Sequence, residues 1–113
     1  MIIIAGTITI APERRAACLS ATEPFQRSTR DEEPGCAAYV FSADPLHPDR
    51  IAVFERWLDA EALETHFLHP NFTAMRALLG EHGVLGADVR KYRIDADAPV
   101  NNAQRIATAS FDE

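Results

Sequence analysis

The chain opens on Ile2 to Ile10 (IIIAGTITI), where β-branched residues dominate and Thr7 and Thr9 alternate with Ile8 and Ile10, the period of a strand. Pro12 suits the first turn of a helix. From Pro12 to Glu33, Ala16, Ala17, Leu19, Ala21 and Phe25 stand among charged residues, as in an amphipathic helix laid on one face of a sheet. Pro24 falls inside that stretch and is expected to kink or divide it, with Thr22 placed to cap a new start. Pro34-Gly35 closes the segment. Cys36–Ala43 and Ile51–Leu58 are two further strand-like runs. The six residues from Asp44 to Asp49 between them carry two prolines and two aspartates that cannot continue a ladder, so the pair predicts a hairpin. Asp59 is a natural N-cap for a helix to about His69, and Pro70 opens a second helical segment with Phe72, Met75, Leu78 and Leu79 at helical spacing. Gly80 to Gly86 is expected to loosen the chain before a last strand, Ala87 to Ile94. Residues 96–113 are polar and aperiodic and predict a tail, whose isolated Ile106 and Phe111 are available to dock on a partner subunit.

The order β-α-β-β-α-β over residues 1–95 describes one α+β domain of the ferredoxin-like kind, a four-stranded antiparallel sheet with its helices on one face. The uncovered face of such a sheet should be polar in a protein that works alone. Here Tyr39 and Phe41 alternate against Ala38 and Val40, and Ile51, Val53 and Trp57 against Phe54 and Leu58, so both faces are apolar. A second copy packed sheet to sheet, forming a symmetric homodimer around an apolar cavity, is the expectation.

A chain of 113 residues accommodates one domain and is too short for a two-domain dehydrogenase, a TIM barrel or a kinase. With 47% hydrophobic and 25% charged residues, a packed core is expected. Eleven Lys and Arg against seventeen Asp and Glu give a net charge of −6 with no basic block, which argues against nucleic acid as a partner. The single lysine, Lys91, reads as compositional bias. Met1 to Ala5 has neither the basic flank of a signal peptide nor the roughly 20 apolar residues of a membrane span, so no membrane association and a cytoplasmic location are expected. Cys18 and Cys36 lack metal or redox spacing and are expected as free thiols.

Chemistry concentrates in one region. Strand alternation puts Glu55 and Trp57 on one face, and helical spacing gathers Leu63, His66 and Phe67 on another. An imidazole beside apolar walls has the pKa range of a general base, and it is equally at home as a core histidine bonded to a backbone carbonyl or to Glu55. Glu55 in turn either orients the imidazole or pairs with an arginine. His66 and His69 lie three apart, with His47 and His82 elsewhere, but no motif supplies a third ligand, so no metal site is expected. Ser20, Ser28, Ser42 and Ser110 lack a nucleophile elbow, and no glycine-rich loop is present. Trp57, Tyr39, Phe41, Phe67, Phe72 and Met75 either fill the core or wall a pocket for a flat aromatic ligand.

The succession Glu33-Pro34-Gly35-Cys36, Tyr39-Val40-Phe41, Arg50 to Trp57 (RIAVFERW), Ala62-Leu63-Glu64-Thr65-His66 and Pro70-Asn71-Phe72 resembles the antibiotic biosynthesis monooxygenase (ABM) family over about residues 1–95. The resemblance implies a dimeric α+β barrel with small apolar or aromatic ligands bound between sheet and helices. It also implies an oxygenase that uses molecular oxygen as co-substrate without metal or flavin. By the same resemblance, His66 matches the helix histidine of quinol-monooxygenase-like members, and Glu55 and Trp57 match their strand pair. The haem-degrading branch carries a helix tryptophan, a later histidine and a strand asparagine. Those places hold His66, Met75 or Arg76, and Gly6 or Thr7 here, so haem is not expected as a cofactor. The arginine, asparagine and tyrosine set of the polyketide oxygenases has no clear counterpart. The resulting expectation is a monooxygenase of a small aromatic or quinol-type substrate with His66 as general base. The alternatives are an isomerase or tailoring enzyme for a small oxygenated metabolite, and a non-catalytic ligand-binding dimer module.

Overall fold

The computed structural model describes residues 1–112. Its elements run β1 (Ile2–Ile10), α1 (Pro12–Glu32), β2 (Cys36–Ala43), β3 (Arg50–Trp57), α2 (Ala60–Leu68), α3 (Pro70–Glu81) and β4 (Val84–Arg93). The strands form one antiparallel sheet in the order β2-β3-β1-β4, the ferredoxin-like topology.

Two local expectations need correction. α1 runs through Pro24 as one 21-residue helix. Pro24 and Ser20, whose carbonyl loses its donor, are both exposed, so water can take the place of the missing bond. The glycine-containing stretch after α3 is no loop either. α3 reaches Glu81, Gly83 takes the left-handed turn at φ 78°, and Gly86 already lies in β4, where pairing with β1 outweighs its poor strand propensity. Residues 96–112 hold no named helix or strand but do contain a local turn. An isolated bridge joins Asn101 to Ala107, and the Asn102 Oδ1 accepts the backbone N–H groups of Gln104 and Ile106, each at 3.0 Å. Val100 and Ile106 at this turn, and Phe111 beyond it, are exposed.

Register sorts the sheet into two faces. On the helix side, Tyr39, Glu55, Ile4 and Lys91 line up as one row across all four strands, and Phe41, Val53, Gly6 and Val89 form the next. This face, with Ile8, Ile51, Trp57, Leu63, Met75 and Cys18, makes the core. The other face shows Ile3, Ala5, Val40, Ala52, Phe54 and Tyr92, and Phe54 is 42% exposed. The two-sided apolar pattern read from the sequence is thus present, and only one side is filled by this chain.

α1 also finishes the sheet edge. The Gln26 amide donates to the Phe41 carbonyl at 3.1 Å and accepts its N–H at 3.2 Å, and the Arg30 Nε donates to the Tyr39 carbonyl at 2.7 Å. A side-chain amide thereby does for β2 what a neighbouring strand would do.

Candidate active site

Two turns place the polar groups. Glu33 leaves the end of α1, its N–H bonded to the Thr29 carbonyl, and the turn returns through Gly35 to β2. A Cβ at Gly35 would collide with that of Ala62, so glycine lets this turn lie against α2 and sends Glu33 beneath the helices. On the far side of β3, Asp59 caps α2, accepting the Ala62 N–H at 2.8 Å. α2 ends at His69, and Pro70 starts α3 at its first helical position. Leu63 and His66 point inward from α2, and Asn71 and Met75 from α3.

These groups meet in a buried polar array. The His66 Nδ1 lies 2.8 Å from the Glu33 Oε1, and the Asn71 Nδ2 donates to the Glu33 Oε2 at 3.2 Å. A carboxylate accepts only, so His66 carries its proton on Nδ1 and donates. Burial pushes the imidazole below its ordinary pKa, with the Glu33 hydrogen bond opposing, which favours the neutral ring. His69 stands 3.9 Å from the Glu33 Oε2, but its Nδ1 already accepts the Asn71 N–H at 3.0 Å, so it is no donor to the carboxylate. The His66 ring is enclosed by Trp57 (centroids 4.3 Å, planes 34° apart), Tyr39 (5.5 Å) and Phe72 (5.4 Å), and the residue is 1% exposed.

Glu55 has a different partner from either one the sequence left open. Its Oε1 accepts the Trp57 indole N–H at 3.0 Å, and no arginine or imidazole bonds to it among the described residues. Burial raises its carboxyl to about 7; the Trp57 bond opposes this and nearby Glu33 adds to it. Burial likewise pushes the Tyr39 hydroxyl far up, and the Cys36 thiol to about 11, so neither ionises readily. Cys18 and Cys36 are free, and among the described residues no three His, Cys, Asp or Glu side chains gather to hold a metal ion.

A cleft of about 660 Å³ opens between the helix-side face of the sheet and the α2–α3 pair, within the size range of small-molecule sites. Ile4, Ile8, Tyr39, Phe41 and Val53 form its floor, with Phe67, Phe72, Met75 and Leu79 on the helix wall and β4 on the open side. Among the described residues, Glu55 is the one acidic residue of the lining. Of the sequence-derived set, Glu55, Tyr39, Phe41, Phe67, Phe72 and Met75 therefore come together at the cavity. His66 and Trp57 lie outside its lining, His66 bound to Glu33 and Trp57 fully buried. The cleft lies on the helix side of the sheet, between sheet and helices, within one chain.

Glu33 and Asn71 escaped the reading of candidate groups. A signal for Glu33 existed: an acidic residue at a helix C-terminus opposes the dipole and needs another reason to be there. Asn71 gives no signal of its own, and Arg76 and Lys91, also in the lining, look in sequence like any surface cation.

Comparison with known proteins bears on the fold and on kinship. The profile of a family described as antibiotic biosynthesis monooxygenase matches residues 1–78. A curated but uncharacterized protein of Synechocystis is 32% identical over 71 residues, 63% of this chain and 48% of the relative, so the chain spans about half the length of that relative. Among solved structures, a candidate antibiotic biosynthesis monooxygenase from Deinococcus radiodurans superposes with a TM-score of 0.80 at 24% identity, covering 90% of this chain and 100% of the other. One from Caulobacter crescentus gives 0.75 at 21% identity over 86% and 90% of the two chains. At these identities the two structures attest the shared fold.

Proposed function

The chain belongs to the antibiotic biosynthesis monooxygenase family, and on that footing we propose that it is a cofactor-independent monooxygenase of a small aromatic or quinol-type substrate. The observation that carries this reading is the position of Glu55: a carboxyl with a pKa of about 7, set into the otherwise apolar floor of a ligand-sized cleft. A general base works best when its pKa lies near the operating pH. Glu55 meets that condition and lines the cavity, so the proton-accepting role passes to it from His66, which lies outside the lining and is held by Glu33.

In this mechanism Glu55 takes the phenolic proton, and the electron-rich phenolate delivers an electron to dioxygen. Recombination forms a C–O bond at a ring carbon bearing hydrogen, and the second oxygen departs as water with the phenolic and ring hydrogens. The substrate is itself the reductant, and a phenol plus O2 becomes a quinone plus H2O. The apolar walls of Phe41, Phe67, Phe72 and Met75 orient the ring and keep water from the anion. His66 is a positioning residue that packs on the Phe72 ring and on the Trp57 ring whose N–H donates to Glu55. The enzyme acts as a homodimer through the apolar outer sheet face, with the turn at 100–108 laid against the partner subunit.

Oxygen uptake by the purified protein, with a chelator present and against a panel of hydroquinones and polycyclic phenols, tests the reading. Uptake above autoxidation that is lost in Glu55→Gln supports it. Wild-type protein that adds nothing to autoxidation across the panel refutes it.

A further inference from the structure

The cleft carries a charge pattern that the monooxygenase reading does not use. The protein is acidic overall, at −6, yet Arg76, Arg90 and the chain's single lysine, Lys91, all line this one cavity. Arg90 is engaged by Asp88, with its Nε 3.4 Å from a carboxylate oxygen. Among the described residues, Arg76 and Lys91 have no ion-pair or hydrogen-bond partner, and no acidic one except Glu55 lines the cavity.

Their placement follows from the fold. Arg76 sits on the same stripe of α3 as Phe72 and Leu79, four residues after one and three before the other, so it borders the cavity from the helix side. Lys91 stands on β4, which forms the opposite lip, on the face of the sheet that carries the floor. It is in the same cross-sheet row as Ile4 and Glu55, separated from Glu55 by one strand. Two strand spacings put their backbones about 9.5 Å apart. The cleft is thus polarised: a buried carboxyl on β3, an apolar floor at Ile4 on β1, and two exposed cations without ion-pair partners, one on β4 and one on α3.

We propose that the substrate is a phenolic acid, an aromatic ring with its hydroxyl at one end and a carboxylate at the other, the carboxylate held between Arg76 and Lys91 while the hydroxyl meets Glu55. This rests on the proposed monooxygenase reading and names its substrate class. A neutral phenol would leave both cations idle at the mouth of an apolar pocket. An anion with its charge at the inner end would meet Glu55 instead. The two cations also select polarity: the ligand enters hydroxyl first, which brings the phenolic proton to the base.

The test separates binding from turnover. Calorimetric titration at pH 7.5 compares 4-hydroxycinnamate with its neutral methyl ester on the full-length protein and on an Arg76→Ala/Lys91→Gln double variant. Both substitutions are at exposed positions, and circular dichroism and the melting temperature of the double variant verify its fold. The acid should bind roughly five- to tenfold more tightly than the ester to the wild type in low salt, the yield of two solvent-accessible ion pairs. That preference should vanish in the double variant and shrink at 0.5 M NaCl. Equal or tighter binding of the ester, a preference that survives the double substitution, or no binding of either compound overturns the inference. Oxygen uptake on neutral phenols alone would uphold the monooxygenase and sink this substrate class. Charge-selective binding with no uptake on any phenol would do the reverse.

Discussion

Glu55 gives two measurable consequences at the scale of one side chain. Its carboxyl titrates near 7, so kcat/KM should climb with pH to a plateau above about 7 as the base form accumulates. Glu55→Gln should lower turnover by ~10²–10⁴-fold and abolish that limb. Stability should move oppositely. The unfolded carboxyl ionises near 4.3, so between that value and 7 the folded protein holds the extra proton and loses stability as pH rises. Glutamine has nothing to ionise and keeps an oxygen for the Trp57 N–H. Urea unfolding should therefore find Glu55→Gln more stable than wild type at pH 8, relative to pH 5, by up to about 3 kcal/mol. His66 contributes a slope of the other sign. Burial holds its folded pKa down, so below about 6.5 the unfolded chain accepts a proton the folded one refuses, and stability falls with acid. In wild type the two slopes partly cancel. The Glu55→Gln variant should expose a steeper loss below pH 6.5; an unchanged slope would mean that Glu55 titrates normally, and a flat profile in the variant that His66 does.

The elements were legible where a period was long and unbroken. β1, the β2–β3 hairpin and the Asp59 and Pro70 helix starts follow directly from alternation, capping and proline position. The failures at Pro24 and Gly86 share one cause: a local rule was overridden by long-range packing, of α1 against β2 in one case and of β4 against β1 in the other. The same cause hid half of the candidate site. Alternation could put Glu55 on the right face, but bringing Glu33 to His66 spans 33 positions and depends on how the turn at Gly35 seats against α2. Two measurements belong here. Pro24→Ala should stabilise α1 by as much as about 3 kcal/mol, the host cost of an internal helix proline, read from thermal unfolding. Gln26→Ala should cost about 2 kcal/mol by stranding both backbone groups of Phe41, and no change there would mean that water serves the edge equally well.

For the whole molecule, the proposed homodimer turns on the apolar outer face. Phe54 is at the centre of that face, opposite Val40 on one side and Ala5 on the other. Sedimentation equilibrium should give twice the chain mass for wild type and the single-chain mass for Phe54→Asp, with the circular dichroism of the fold retained. A wild-type monomer would leave the outer face in need of another explanation.

The amide of Gln26 has a further bearing on growth. A sheet with two open edges can recruit copies at both and so extend without end, which is how fibres begin. Here α1 occupies one edge through Gln26 and Arg30, and only β4 remains available for strand addition. Two molecules that met there would each use up their one free edge. Edge-to-edge polymerisation would stop at a pair, which makes a residue of modest stabilising worth the terminator of a chain reaction.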